Sequence, residues 1–238
     1  MNDDNLEDFH EFDGEAHKYN QIMEEEFGPN HKKYAEYKVE LLHNLLPVKP
    51  NYSILNFGCG VGRDMDYFPY YFGNKISLYG CDVSKESVEY ASALTNEYSY
   101  FQSEKTQSIY DQGVMFDIVF IACVLHHIDP IERKYWIKAL ADNTSDEGYI
   151  CIFEHNLLNP MTKQKIMHPK TSTLDKLDWM LSMKEIINLF SDIGVVFKVY
   201  WKGYTLFSPV RRSLILNVEK YMGWCPFGAQ QCVIMQKV

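Results

Sequence analysis

Residues 54–64, ILNFGCGVGRD, place three glycines within five positions directly after an apolar run. An apolar run followed by glycines predicts a strand and then a tight turn, because glycine has no Cβ and adopts positive φ readily. Such a turn lets the backbone approach a ligand closely, and a helix that follows it offers N–H groups to an anionic part of that ligand. The stretch therefore predicts a strand, a turn and a helix with a ligand at the turn.

The spacing of the glycines narrows the class of ligand. Gly58, Gly60 and Gly62 follow G-x-G-x-G, and Arg63 stands where the dinucleotide fingerprint G-x-G-x-x-G has its third glycine. The G-K-[ST] ending of a P-loop does not follow either. The spacing disfavours an NAD-dependent oxidoreductase and a phosphate-binding P-loop.

From about residue 50 onward, short apolar segments alternate with amphipathic ones, which is typical of βαβ units and a mostly parallel sheet. Strands are predicted at 52–57, 76–82, 99–102, 116–122, 148–154, 195–201 and 231–237. Helices are predicted at 61–73, 84–96, 130–142 and 182–193. Ser84 before one helix and the capping-box pair Ser182 and Glu185 at another mark the helix starts.

The ends of the chain differ from this alternating core. Apolar and aromatic residues recur at helical spacing within 15–47, which predicts two helices in an N-terminal helical cap over residues 1–48. Residues 49–238 are expected to form a single compact unit with two irregular excursions, 156–181 and 203–230. Long loops of this kind often act as lids or line binding sites.

Composition excludes several classes of function. The formal net charge of −9 disfavours nucleic acid as a partner and favours a small or uncharged substrate. The acidic N-terminus does not resemble a secretory signal, and no apolar run approaches the roughly 20 residues that span a bilayer, so a cytoplasmic protein is expected. The six cysteines form no C-x-x-C pair and are expected to be buried thiols, with no metal site.

Four landmarks in order make the sequence similar to class I S-adenosylmethionine-dependent methyltransferases. They are the glycine motif, YGCDVS at 79–84, FDIVF at 116–120 with ACVLHHI at 122–128, and GYICIFEHN at 148–156. The resemblance covers residues 50–155. It implies the fold of that family, a Rossmann-like, seven-stranded, mostly parallel sheet, and S-adenosylmethionine as cofactor.

The resemblance also implies cofactor contacts. Asp82, twenty-four residues after Gly58, would accept hydrogen bonds from both ribose hydroxyls, and capping of the next helix is the alternative role for this residue. The adenine would lie among Val83, Ala122 and Cys123, with Ser103 or Glu104 at its amino group. The remaining contacts, at the methionine end and over the cofactor, would come from Gly58, Cys59, Gly60, Gly62, Tyr19 and Lys38.

Asn56 departs from the family pattern, in which Asp or Glu commonly stands two residues before the first glycine. An amide accepts a hydrogen bond but brings no charge, and charge-assisted hydrogen bonds are roughly twice as strong as neutral ones. The departure predicts weaker cofactor binding or a role taken by another acid. It also keeps a second function open, that of a methyltransferase-fold protein that binds a cofactor or a partner without catalysis.

Histidines after the fourth strand and at the end of the fifth are candidate bases. Methyl transfer is an in-line displacement, and a hydroxyl acceptor benefits from a base such as histidine. LHHI supplies His126 and His127, for which a structural or gate-forming role is the alternative. FEHN supplies His155, which is favoured because a polar trio at the end of a strand has little packing rationale.

The acceptor is the least defined part of the site. No Asn/Asp-Pro-Pro-aromatic motif follows the fourth strand, so an exocyclic amine of DNA is not expected. EHNLLNPMT at 154–162 and PFGAQQCVIMQK at 226–237 resemble methyltransferases that modify bacterial surface glycans. This resemblance implies a small-molecule or sugar-linked acceptor, and oxygen is the preferred atom, with nitrogen and carbon left open.

Overall fold

The computed structural model describes residues 32–47, 49–168, 179–207 and 221–238. The strands are β1 Ser53–Phe57, β2 Ser77–Asp82, β3 Ser99–Gln102, β4 Phe116–Ala122, β5 Thr144–His155, β6 Phe197–Thr205 and β7 Gln230–Lys237. The helices are α1 Lys32–Leu45, α2 Tyr67–Phe72, α3 Lys85–Leu94, α4 Gln107–Tyr110, α5 Arg133–Asp142, α6 Pro160–Met167 and α7 Met183–Asn188, with a short 3₁₀ helix at Leu125–His127.

All seven strands belong to one sheet, in the order β3-β2-β1-β4-β5-β7-β6. The strands from β1 to β5 pair in parallel, whereas β7 runs antiparallel to both β5 and β6. The predicted Rossmann-like, seven-stranded, mostly parallel sheet is confirmed. Since β1, β2, β4 and β5 are parallel, their carboxyl ends meet at one edge of the sheet, where open α/β sheets bind ligands.

The sheet is covered on both faces because its strands are apolar on both sides. On the face here called the α5 face, the strands pack against residues of α4, α5 and α7, including Ile109, Ile137, Leu140 and Ile186. On the opposite face, here called the α1 face, they pack against residues of α1 and α2, including Val39, Leu42 and Phe68. Side chains alternate between the faces along each strand, so strand register decides which polar groups share a site.

Several predicted boundaries are wrong in detail. The helix expected at 61–73 begins only at Tyr67. Gly62 has a φ of 79°, which is not helical. The residues between Gly62 and Tyr67 form turns, in which an N–H donates to the carbonyl three residues earlier, as Met65 does to Gly62. The helix expected at 182–193 ends at Asn188. Strand β6 continues to Thr205, into the stretch that was expected to be irregular from residue 203.

The predicted N-terminal cap is described only in part. Its second helix is present as α1, whose buried residues join the core of the α1 face. The first predicted helix and Tyr19 lie outside the described residues, and the division at residue 48 stays a prediction. None of the described helices combines the length and the hydrophobicity that a membrane span requires.

The cysteines are free thiols, and Cys59, Cys81, Cys151 and Cys232 are buried. Burial raises the pKa of the Cys81 thiol to about 12 and also raises the pKa of the Cys151 thiol. These four residues therefore serve as small apolar groups in the core, as expected. The expectation is wrong for Cys123 and Cys225, which are only partly buried.

Candidate functional site

The glycine turn is joined to the end of β2 by backbone hydrogen bonds. The N–H groups of Gly58 and Cys59 both donate to the Cys81 carbonyl, at 2.8 and 2.9 Å. Gly58, Gly60 and Gly62 all have positive φ, between 51° and 79°. The three glycines therefore adopt left-handed backbone conformations, which are unfavourable for other residues.

Asp82 fixes the centre of this turn. Its Oδ2 accepts the Gly60 N–H at 2.8 Å, and its Oδ1 accepts the Ser84 N–H at 3.0 Å. The side-chain cap of α3 is Ser84, whose Oγ accepts the Ser87 N–H at 3.1 Å. The two oxygens of the Asp82 carboxylate therefore join the end of β2 to the glycine turn and to the start of α3.

The open side of the turn is at Gly60. A Cβ on Gly60 would meet nothing within 4 Å, whereas a Cβ on Gly58 would lie 2.3 Å from Val124 Cγ2. Gly58 is thus required by packing against the segment after β4, and Gly60 leaves space beside its backbone. A backbone cradle of this kind suits a ligand that lies directly against the chain.

An added methyl group should rank differently at the two glycines for stability and for ligand affinity. We expect Gly60→Ala to destabilise the protein by about 1–2 kcal/mol, the cost of its left-handed φ. Gly58→Ala should destabilise the protein by a further ~1–3 kcal/mol, because its methyl group would overlap Val124. For ligand affinity the order should reverse, since only the Gly60 methyl enters the open cradle. Urea unfolding and calorimetric titration of both variants measure this, and equal stability of the two would contradict it.

Asn56 lies beneath the turn, on the α1 face. It is 1% exposed, and its Nδ2 has no hydrogen-bond partner among the described residues. Nearby, Lys38 Nζ of α1 lies 3.8 Å from Asp64 Oδ1 and 5.9 Å from the centroid of the Phe120 ring, which is next to Asn56 in the β1–β4 register. Asp64, in the turn region, therefore has Lys38 of α1 as its counterion.

The residues expected around an adenine lie at neighbouring strand ends. Val83 and Ser103 follow β2 and β3, Ala122 ends β4, and Cys123 follows it. Ser103 is buried and its N–H donates to the Asp82 carbonyl at 2.8 Å. Glu104 is exposed, and its Oε1 accepts from Gln102 Nε2 at 2.8 Å.

Tyr100 is a part of this site that the motif comparison missed. Its ring lies 2.8 Å from the position that a Cβ would occupy at Gly80, and its hydroxyl oxygen lies 3.0 Å from the corresponding position at Gly62. Burial raises the pKa of its hydroxyl above the ordinary tyrosine value. The signal in the sequence was Gly80, because a glycine inside a strand often marks a close approach by another group.

His126 and Glu154 form a buried pair behind the edge of the sheet. His126 Nδ1 lies 2.5 Å from Glu154 Oε2, and both side chains are at most 1% exposed. The Leu125 N–H donates to Glu154 Oε1 at 2.8 Å. Burial acts to raise the pKa of Glu154, but His126, His155 and the Leu125 N–H outweigh it and leave the pKa below the ordinary glutamate value. Glu154 therefore anchors the segment after β4.

The other two histidines surround this pair. The ring centroids of His127 and His155 lie 4.0 and 5.0 Å from that of His126. His155 is partly exposed and lies at the end of β5, on the α1 face that also carries Asn56. The structure thus brings the three candidate bases together at one edge.

The interpretation that the FEHN trio lacks a packing role is wrong for Glu154 and Asn156. Asn156 is 1% exposed, and its Nδ2 donates to the carbonyls of Pro226 and Gly228 at 2.8 and 2.7 Å. It holds the PFGA turn, residues 226–229, against the end of β5. This contact joins the two sequence segments, 154–162 and 226–237, whose pattern suggested a glycan acceptor.

A cavity of about 620 Å³ lies on the α5 face of β5, β7 and β6, whereas His155 lies on the α1 face. Its lining includes Leu158, Met180, Lys202, Tyr204 and Gln231. Tyr204 and Gln231 are opposite each other in the β6–β7 register and share the α5 face with Glu154. Strand alternation therefore separates this cavity from His155.

Residues 55–150 match the family model of a methyltransferase domain. No curated protein matches the chain by sequence. Its structure is similar to that of the plantazolicin methyltransferase BamL, crystallised with a triazolic desmethylPZN analog and SAH, with a TM-score of 0.65 at 19% identity over 96% of this chain and 92% of that one.

Two further solved structures are similar over most of both chains. Magnesium protoporphyrin IX methyltransferase (ChlM) from Synechocystis PCC 6803, solved with bound SAH, has a TM-score of 0.65 at 16% identity over 99% of this chain and 100% of that one. A SAM-dependent methyltransferase from Archaeoglobus fulgidus has a TM-score of 0.63 at 14% identity over 92% and 99%. The chain therefore has the class I methyltransferase fold, with a methyltransferase domain matched at residues 55–150.

Proposed function

We propose that the protein is an S-adenosylmethionine-dependent methyltransferase that acts on a small-molecule or sugar-linked acceptor at oxygen. The observation that carries the proposal is the glycine turn, which Asp82 holds through the Gly60 N–H and which is open beside the Gly60 backbone. When bound, S-adenosylmethionine supplies an electrophilic methyl group on a sulfonium, with a neutral thioether as leaving group. The chain's own residues bind and orient the reactants.

The residues at the turn fit this cofactor. The space beside Gly60 admits a ligand against the backbone. Asp82 would accept hydrogen bonds from the ribose hydroxyls, and the adenine would lie among Val83, Ala122, Cys123, Ser103 and Glu104. At the methionine end, the buried and unpartnered Nδ2 of Asn56 would donate to the carboxylate of the cofactor, and Asp64 is an acid that could face its ammonium group. Lys38 in α1, within the proposed cap, balances the charge of Asp64.

His155 is the proposed general base. It is partly exposed at the edge of the sheet, whereas His126 is buried with Nδ1 held by Glu154. A ring nitrogen of His155 accepts the proton of the acceptor hydroxyl. His126 and Glu154 are positioning residues, because their hydrogen bond fixes the ring that packs against His155. His127 forms part of the wall beside them.

A sugar-linked acceptor agrees with the aromatic groups near this edge. The side chains of Trp224 and Phe227 are exposed, and Phe227 lies within the PFGA turn that Asn156 and Asn159 hold. Exposed aromatic rings of this kind provide stacking surfaces for sugars. The structural neighbours are named for unlike acceptors, so the fold by itself does not select one.

Calorimetric titration with S-adenosylhomocysteine is the first test, and we expect binding. The absence of binding at millimolar ligand would overturn the proposal. The second test incubates the protein with S-adenosylmethionine and a panel of sugars and sugar nucleotides, and measures release of S-adenosylhomocysteine. Binding without turnover of any acceptor, together with a stable protein partner in pull-downs, would favour the second candidate, a non-catalytic binding protein, to which Asn56 points.

His155→Ala separates catalysis from binding. We expect unchanged affinity for S-adenosylhomocysteine and transfer that is slower by about 10²–10⁴-fold, the usual contribution of a general base. His168→Ala is the matched control, because His168 is exposed at the end of α6 and should leave both quantities unchanged. A His155→Ala variant that transfers at the wild-type rate would remove His155 as the base.

A further inference from the structure

We propose that Gln230 and Thr205 form an acceptor-recognition pair, which binds an uncharged hydroxyl or N–H group of the methyl acceptor. The inference rests on the proposed function and names the substrate chemistry of the same site. Gln230 Oε1 and Thr205 Oγ1 are buried side-chain oxygens without a hydrogen-bond partner among the described residues. The two residues are 9% and 1% exposed. Buried polar atoms are nearly always paired in folded proteins, so two such oxygens together indicate a missing partner.

The strand register places this pair beside the proposed base. Gln230 is opposite His155 in the β5–β7 pairing and opposite Thr205 in the β6–β7 pairing. The three side chains therefore form one row across β5, β7 and β6 on the α1 face. Directly opposite residues of antiparallel strands have Cβ atoms about 4.5–5.5 Å apart. A small molecule whose reacting hydroxyl lies at His155 therefore reaches Gln230 and Thr205 with its neighbouring groups.

The hydrogen-bonding capacity of the pair defines what it binds. Gln230 Nε2 lies 2.9 Å from Cys123 Sγ, to which it donates, so Oε1 is the atom that remains for a ligand. A carbonyl oxygen only accepts, and therefore the ligand group that faces it must donate. Thr205 Oγ1 both donates and accepts. Adjacent hydroxyls of a neutral sugar meet both requirements, whereas a carboxylate or phosphate facing Gln230 Oε1 presents only acceptors.

Packing holds the pair in place before any ligand binds. A Cβ on Gly228 would lie 2.4 Å from the Thr205 carbonyl oxygen and 2.6 Å from its nitrogen, so only glycine lets this turn lie against β6. The Ala229 N–H donates to the Leu206 carbonyl at 3.0 Å, directly before Gln230. With Asn156 holding the same turn, the two oxygens are preorganised, which lowers the entropy cost of recognition.

A stability comparison tests whether the oxygens are unpaired. Thr205→Val removes Oγ1 with little change in volume, and we expect the urea midpoint to be unchanged or higher, since no protein hydrogen bond is lost. Gln230→Met would also remove the hydrogen bond from Nε2 to Cys123 Sγ, so Thr205→Val is the variant that isolates an unpaired oxygen. The matched control is Thr144→Val, because Thr144 is also fully buried but its Oγ1 donates to the Leu140 carbonyl at 2.7 Å. Thr144→Val should lower the midpoint. An equal loss in Thr205→Val would overturn the inference.

A binding experiment tests the recognition itself. The probes are neutral hexoses and N-acetylhexosamines with their matching uronic acids, added to protein saturated with S-adenosylhomocysteine. Binding is followed by NMR through the side-chain amide signals of Gln230, which are assigned by their loss in Gln230→Met. We expect at least one neutral sugar to shift these signals. Thr205→Val should weaken the binding of that sugar by about tenfold, the effect of one lost hydrogen bond.

Shifts caused only by uronic acids, or by none of the probes, would overturn the inference. Calorimetry with S-adenosylhomocysteine keeps this failure distinct from that of the proposed function. Thr205→Val should bind S-adenosylhomocysteine within about twofold of the wild type, because Thr205, unlike Gln230, has no hydrogen bond to a residue of the proposed adenine site. Failure of the wild type to bind it would count against the proposed function instead.

Discussion

Replacing Asp82 by asparagine is expected to weaken the binding of S-adenosylhomocysteine by about a hundredfold. A hydrogen bond to a charged acceptor contributes about 1.5–3 kcal/mol, and the proposed ribose contacts include two of them. The amide has one carbonyl oxygen, yet Gly60 and Ser84 both donate to the carboxylate, one to each oxygen. In Asp82→Asn, the amide nitrogen therefore faces an N–H donor, and both the turn and the ligand contact are lost.

Isothermal titration calorimetry of Asp82→Asn beside Asp146→Asn measures this effect. Asp146 is an exposed carboxylate near the opposite end of β5, so its change to an amide alters the net charge equally without touching the turn. The control should bind as the wild type does. Affinity within threefold of the wild type in Asp82→Asn would contradict both a ligand contact at Asp82 and a cofactor site at the turn that Asp82 holds.

Much of the fold could be predicted because its signals are local. Apolar runs of four to eight residues between amphipathic segments located the strands of the parallel sheet, and Ser84 and Ser182 located two helix starts. The start of α2 could not be predicted this way. Residues 61–66 have no helix breaker except Gly62, and only the positive φ of that residue and the turn hydrogen bonds show where the helix begins.

The candidate site was predictable on its cofactor side and much less so on its acceptor side. The glycine turn and Asp82 are recognisable from their spacing along the sequence. The acceptor side depends on pairings between distant positions, such as Glu154 with His126 and Thr205 with Gln230. The second pairing exists because β7 inserts antiparallel between β5 and β6, an order that the local pattern does not encode. The polarity of Asn156 favoured a place in the site, but its side chain holds the PFGA turn instead.

Loss of the Glu154 carboxylate should have the largest effect on stability. We expect Glu154→Ala to destabilise the protein by ~3–5 kcal/mol, the usual cost of removing one partner of a buried ion pair. The variant leaves the Leu125 N–H and His126 Nδ1 buried without their acceptor. Urea unfolding near neutral pH, with the exposed Glu97→Ala as control, measures the difference. A loss below about 1 kcal/mol, typical of an exposed pair, would show that the pair is weak.

The dependence on pH gives the same residue an independent signature. The pKa of Glu154 is lower in the folded protein than the ordinary glutamate value, because His126 and His155 outweigh the cost of burial. A depressed pKa in the folded state stabilises the protein above the unfolded-state value of about 4.3, and this contribution is lost as pH falls through the folded value. Glu154→Gln cannot titrate, so its stability should fall less steeply than that of the wild type below about pH 4.3. Parallel curves for the two proteins would mean that other carboxylates account for the acid sensitivity.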